Sequence, residues 1–230
     1  MSPIQRADFG LDADRASTAV TPMEFVRRRF GGRYLIDPFG FDPQLADVSS
    51  AIVEMGVRIE LEGSEHLPLH GAASLVVNRG VGLVEPTAVG LAVRRAVGRR
   101  VRIVGLPGLP FAHGLGRRLG AIAATSDDVA AALRARHLVL VPLAHTWLRA
   151  DAGVAPLAIV QALVAHPVVP VAVQPCGPFG APTKWRVRFG SPIVADPTYD
   201  HDDPLAAADL GEQMREGVAS LLGADLATVA

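Results

Sequence analysis

The run Ala73-Ser74-Leu75-Val76-Val77 constrains the fold more than any other stretch. It reads as a buried strand that breaks at Asn78 into the glycine-punctuated turn Arg79-Gly80-Val81-Gly82. After Pro86 the pattern becomes helical, from about 87 to 97. Two further runs, 138–141 and 168–173, are apolar without alternation. A strand that is apolar on both sides needs cover on both faces. Such strands alternating with helices imply an α/β fold, a mainly parallel central sheet with helices on both sides. In such folds the chemistry gathers where a strand ends in a polar turn that feeds a helix. Function is therefore sought first at 78–86.

The rest of the chain fits this frame. Residues 1–22 are polar and aperiodic and read as a tail. A helical segment fills 23–56, with a short helix at 22–30 and a longer one at 44–55. The α/β domain is expected over 57–230. Its strands fall at 57–61, 73–77, 100–106, 120–124, 137–141, 168–173 and 185–189, and its helices at 87–97, 111–119, 126–136, 154–165 and 203–222. Ser126 reads as the cap of the third of these helices, with Asp127 and Asp128 in the first turn, where the helix dipole favours acids.

Composition narrows the function. Half of the 230 residues are hydrophobic and the formal charge is -1, which argues against a bulk nucleic-acid binder. The single cysteine, Cys176, excludes a disulfide framework within the chain and reads as structural. No apolar leader or membrane span is visible. The expected location is the cytoplasm, with peripheral contact at the inner face of the membrane. For that contact 22–30 is the candidate, since it sets Phe25, Val26 and Phe30 beside Arg27, Arg28 and Arg29. The competing reading packs those aromatics on the domain.

Several segments, in order, resemble the glycerolipid acyltransferases, the lysophospholipid (1-acylglycerol-3-phosphate) acyltransferase family, and in particular a branch seen in actinobacteria. They include Tyr34-Leu35-Ile36-Asp37-Pro38-Phe39-Gly40, the strand Leu75-Val76-Val77-Asn78 and Arg117-Arg118-Leu119-Gly120-Ala121-Ile122. Leu138 to Pro142, Pro167 to Val173 and Lys184 to Ile193 continue the likeness. The resemblance implies the fold described above and an active site at the ends of these strands. It implies no cofactor. In the family a histidine after the asparagine is the general base, an aspartate orients it, and Pro-Glu-Gly contacts the glycerophosphate.

This chain departs from the family at those positions. Arg79 stands where the histidine would be, and a guanidinium keeps its proton near neutral pH. The aspartate position falls on Val84, or on Glu85 or Pro86 if the match slips. The third motif reads Pro142-Leu143-Ala144-His145-Thr146-Trp147-Leu148-Arg149, without its glutamate or glycine. The second keeps Gly120 and supplies Thr125 in place of an arginine.

Three readings follow. The first is a family member without transferase activity, which binds an acyl-CoA or lysolipid ligand, or pairs with an active homologue or with itself. The pocket would then be marked by Asn78, Arg79, Glu85, Gly120, Thr125, Pro142, Leu143 and Arg149, with Arg79 paired to Glu85. The second is an active acyltransferase using a displaced base, His145 first and His113 next. The third is a nucleotide-binding module, suggested by Gly80-Val81-Gly82 after a strand. It is weakened by Glu85 at the third glycine position and by the lack of a ribose-binding acid. Trp185 is expected in packing, and Trp147 near the pocket mouth.

Overall fold

The computed structural model describes residues 36–78, 84–105, 113–143, 157–176, 184–196 and 203–228, together with 23, 26, 27, 30 and 31. In chain order its elements are α1 (Pro43–Gly56), β1 (Arg58–Glu62), β2 (Ala73–Val77), α2 (Val84–Val97), β3 (Val101–Val104), α3 (His113–Arg118), β4 (Ala121–Ile122), α4 (Ser126–Arg134), β5 (Leu138–Pro142), α5 (Leu157–Leu163), β6 (Val168–Pro175), β7 (Lys184–Phe189) and α6 (Pro204–Thr228). The strands form one sheet in the order β1-β7-β6-β2-β5-β3-β4. From β6 to β4 every neighbouring pair is parallel; β7 runs antiparallel to β6, and β1 runs parallel to β7. The expected α/β class and mainly parallel sheet are what the chain adopts.

The unalternating strands hold the centre. All five residues of β2 and the first four of β5 are buried. Alternate residues of these strands feed two apolar clusters. Val76, Val139, Val141 and Val168 point to one face, against Leu133 of α4, Leu163 of α5 and Met214 of α6. Leu75, Leu140, Val171 and Val187 point to the other, against Val89 and Val93 of α2. Trp185 is buried in this second cluster, as expected for a packing residue.

Several boundaries differ from the sequence pattern. α2 begins at Val84, so Pro86 sits inside its first turn, where a proline's missing N–H is not needed. The cap of α4 is Thr125, not Ser126: its side chain accepts from Asp128 N at 3.2 Å. Both residues can cap a helix, and only backbone angles decide between them; Thr125 is extended, with φ -117 and ψ 150. α6 continues past 222 to Thr228 through good helix formers such as Ala224, Leu226 and Ala227. Cys176 is exposed just beyond β6.

The loop before α1 is tied to the sheet by charge. Asp37 accepts from the backbone N–H groups of Phe39 and Phe41 at 2.9 and 2.8 Å and pairs with Arg102 of β3. Both side chains of the pair are 2% exposed. The Arg102 guanidinium also lies over the Phe41 ring, 4.2 Å from its centroid. At the other edge, Gly63 links β1 to a turn of 3-10 helix (Ser64–His66) with φ 71, and a β-carbon there would lie 2.0 Å from Phe189 O. Only glycine fits that turn.

Candidate functional site

The sheet order itself marks one crevice. From β2 the chain passes through α2, on one face, to β3. From β5, the adjacent parallel strand, it passes through α5, on the other face, to β6. The two connections leave neighbouring strand ends in opposite directions. That is a topological switch point, where open α/β sheets leave room for ligands beyond the carboxyl ends of their strands.

Asn78, Pro142 and Leu143 meet at this point. Val77 is paired with Pro142, and Leu143 N donates to Val77 O at 3.0 Å. Asn78 follows directly. Its amide is occupied on both sides by the backbone of β6: Nδ2 donates to Val173 O at 3.0 Å and Oδ1 accepts from Val173 N at 2.7 Å. The side chain thus continues the β2–β6 ladder past the end of the strand. An asparagine at a strand end does not announce that role in a sequence, because the partner lies 95 residues away. Leu143 is buried at 9% exposure.

Glu85 stands half-buried in the first turn of α2, where the helix dipole favours an acid. Thr125 lies past the end of β4, on the same edge of the sheet as Asn78 and Pro142, with β5 and β3 between. Gly120 lies at the start of β4 and serves a turn. Its φ is 104, its carbonyl accepts from Ile103 N at 3.0 Å, and a β-carbon would lie 3.3 Å from Val101 O. Arg79, Trp147, His145, Arg149 and the Gly80-Val81-Gly82 turn lie outside the described residues, so the expected Arg79–Glu85 pairing does too. His113 begins α3, and its side chain is likewise outside the description.

A second feature went unseen in the sequence: a groove between α1 and α2, with a volume of about 210 Å³. Val53 of α1 and Leu91 of α2 form its walls, and Val101 and Ile103 of β3 lie beneath. One end is charged. Asp47 of α1 bridges Arg94 of α2 and Arg100 ahead of β3, its Oδ1 lying 3.0 Å from Arg94 Nη1 and from Arg100 Nη2. In the sequence only the spacing of Arg94 and Arg100 around the α2–β3 turn is visible; nothing there reveals that Asp47, some fifty positions earlier, joins them.

Before α1 the backbone is helical at 23, 26, 27 and 30. Met23 and Phe30 are 79% and 89% exposed, and Val26 is 45% exposed. Positions three and seven apart share one helix face. Phe30 is therefore not packed on the domain, as one of the two readings of this segment required. No helix among the described residues is long and apolar enough to cross a membrane.

The fold and the switch-point crevice define a mainly parallel α/β protein with helices on both faces of its sheet. No family model matches the chain, and no curated protein matches it. Among solved structures it is similar to the 1-acyl-sn-glycerophosphate (LPA) acyltransferase PlsC from Thermotoga maritima, at 18% identity and a TM-score of 0.48, over 76% of this chain and 81% of that one.

Proposed function

We propose that the chain is a phospholipid/glycerolipid acyltransferase-family protein that has lost transferase activity and acts by binding a lipid or acyl ligand, or an active partner. The family assignment rests on the ordered segments from Tyr34 to Ile193. The observation that carries the loss of activity is Leu143. Its residue follows the strand end paired with β2, beside Asn78, and it places a buried apolar side chain where the family's third motif has an acid. Arg79, next to Asn78, replaces the family's base with a side chain that holds its proton. Positioned general-base help typically contributes about 10²–10⁴-fold, so its loss alone is a severe handicap. The exposed face of Met23, Val26 and Phe30, with exposed Arg27 beside it, suits a peripheral contact with a lipid surface.

The test is thioester consumption with acyl-CoA as donor and lysophosphatidate as acceptor, on the purified protein and on His145→Ala. The expected result is no turnover in either, together with measurable binding of lysophosphatidate. Turnover in the first that disappears in the second would overturn the reading in favour of an active enzyme using His145 as a displaced base. Arg79→His alone is not expected to restore full activity, because the third-motif acid is still absent.

A further inference from the structure

The groove between α1 and α2 has the shape and polarity of a site for one alkyl chain with an anionic end. Its walls come from single helix faces: Ala46, Ser50 and Val53 on α1, and Pro86, Gly90 and Arg94 on α2. From Pro86 to Arg94, eight residues at roughly 1.5 Å each give a length of about 12 Å. An added strand finds no main-chain partners, since helical walls already use theirs internally. A single aliphatic chain suits a narrow groove of this length with a mostly apolar lining.

The space is open at Gly90. A β-carbon added there would meet nothing within 4 Å. Glycine in the middle of a helix sacrifices helix stability, and here its missing side chain is what leaves the groove clear.

The end of the groove defines the head group. Its charged lining residues are two arginines and one aspartate, so the local balance is positive. The Asp47 carboxylate lies between both guanidiniums, which shows that their spacing suits a carboxylate. The Arg94 side chain is 26% exposed and within reach of an arriving anion. The Arg94 guanidinium presents five N–H donors, more than the Asp47 carboxylate can use.

We infer that the groove binds a fatty carboxylate, with its tail along α2 toward Pro86 and its carboxylate at Arg94. The inference rests on the lipid-binding reading above for the ligand class, and adds the place and the head group. The head would lie at the end of α2 remote from Asn78, outside the switch-point crevice.

The experiment is calorimetric titration of the full chain with dodecanoate, below its micellar concentration, and with dodecanol and decanoate. Dodecanoate is expected to bind, and decanoate, two methylenes shorter, roughly fifteenfold more weakly, since each buried methylene is worth about fourfold in affinity. Gly90→Leu, which fills the groove with a good helix former, should abolish binding without lowering the melting temperature. Arg94→Gln should weaken dodecanoate about tenfold and leave dodecanol unchanged. If Gly90→Leu does not fold, the Arg94→Gln arm decides alone. Dodecanoate affinity equal in the wild type and Gly90→Leu would overturn the inference, as would equal effects of Arg94→Gln on acid and alcohol. If dodecanoate fails to bind while lysophosphatidate binds, the groove is wrong and the lipid-binding reading stands. If neither binds, both fall.

Discussion

Gly217 of α6 and Gly90 of α2 are both glycines inside helices, on opposite faces of the same sheet, and a methyl group added to each would meet opposite surroundings. At Gly217 it would lie 2.7 Å from Pro170 Cγ, a ring fixed in the buried strand β6. At Gly90 it would meet nothing within 4 Å. The first glycine lets a helix close down on the sheet. The second stands over open space. α6 is thus seated on the sheet by packing, whereas α2 keeps a groove beside an equally well-buried cluster. Space on the α6 side lies elsewhere, in a cavity of about 240 Å³ lined by Phe39, Arg117 and Ile122.

The α6 side of the sheet also carries the most vulnerable polar contact. β3 turns Val101 and Ile103 toward α2, and Val104, with Arg102 between, toward the other side. Asp37→Ala removes the carboxylate from a pair whose two side chains are each 2% exposed, and also frees the N–H groups of Phe39 and Phe41. Breaking a buried pair by removing one partner costs about 3–5 kcal/mol. Chemical denaturation should show a loss of that size, the largest expected here. A loss below about 1 kcal/mol would mean that water reaches Arg102.

Gly217→Ala comes next. Overpacking a well-filled site costs typically about 1–3 kcal/mol, and the gain from alanine in a helix, about 1 kcal/mol, offsets only part of it. The net expectation is a destabilisation on the order of 1 kcal/mol. Gly90→Ala should have the opposite sign and stabilise by about 0.5–1 kcal/mol, because the helix gain is unopposed. Equal signs for the two variants in the same denaturation series would erase the contrast between the faces.

Legibility in the sequence follows the same division. The central strands were readable because runs such as Leu138–Pro142 have no polar alternation, and only a sheet covered twice can use them. The strand-to-turn break at Asn78 located the crevice for the same local reason. What Asn78 does there was not readable, since its partner is Val173. The groove was hidden on similar grounds. Its walls are ordinary amphipathic helices, and Gly90 in Val89-Gly90-Leu91 looks like a mild helix defect until the space above it is seen. The cap moved from Ser126 to Thr125 because adjacent hydroxyl residues compete for one position that only the backbone decides.

The smallest expected effect lies at the β1–β7 end of the sheet. On β7, Trp185, Val187 and Phe189 turn to the α2 side, leaving Lys184, Arg186 and Arg188 on the other. There they meet β1: Lys184 Nζ lies 2.5 Å from Glu60 Oε1, and Arg188 Nε lies 2.7 Å from Glu62 Oε2. Charge replaces most of the helix cover here, although Arg188 also donates to Leu221 O of α6 at 2.9 Å, and on a sheet edge charge also discourages pairing with another chain. The hydrogen bond from Lys184 is the main reason that the Glu60 carboxyl is held below its ordinary value of 4.5; the charges of Lys184 and Arg186 add to the effect, and partial burial opposes it. A carboxyl lowered in the folded state stabilises the fold above its ordinary value, and that contribution is lost as the pH falls through the lowered value. Glu60→Gln should therefore lower the melting temperature slightly at neutral pH, and the gap should close in acid, below 4.5. It should also shrink at about 1 M salt, where the Debye length is roughly 3 Å. A gap that persists in acid and in salt would mean that Glu60 acts by packing, as α6 does on the sheet.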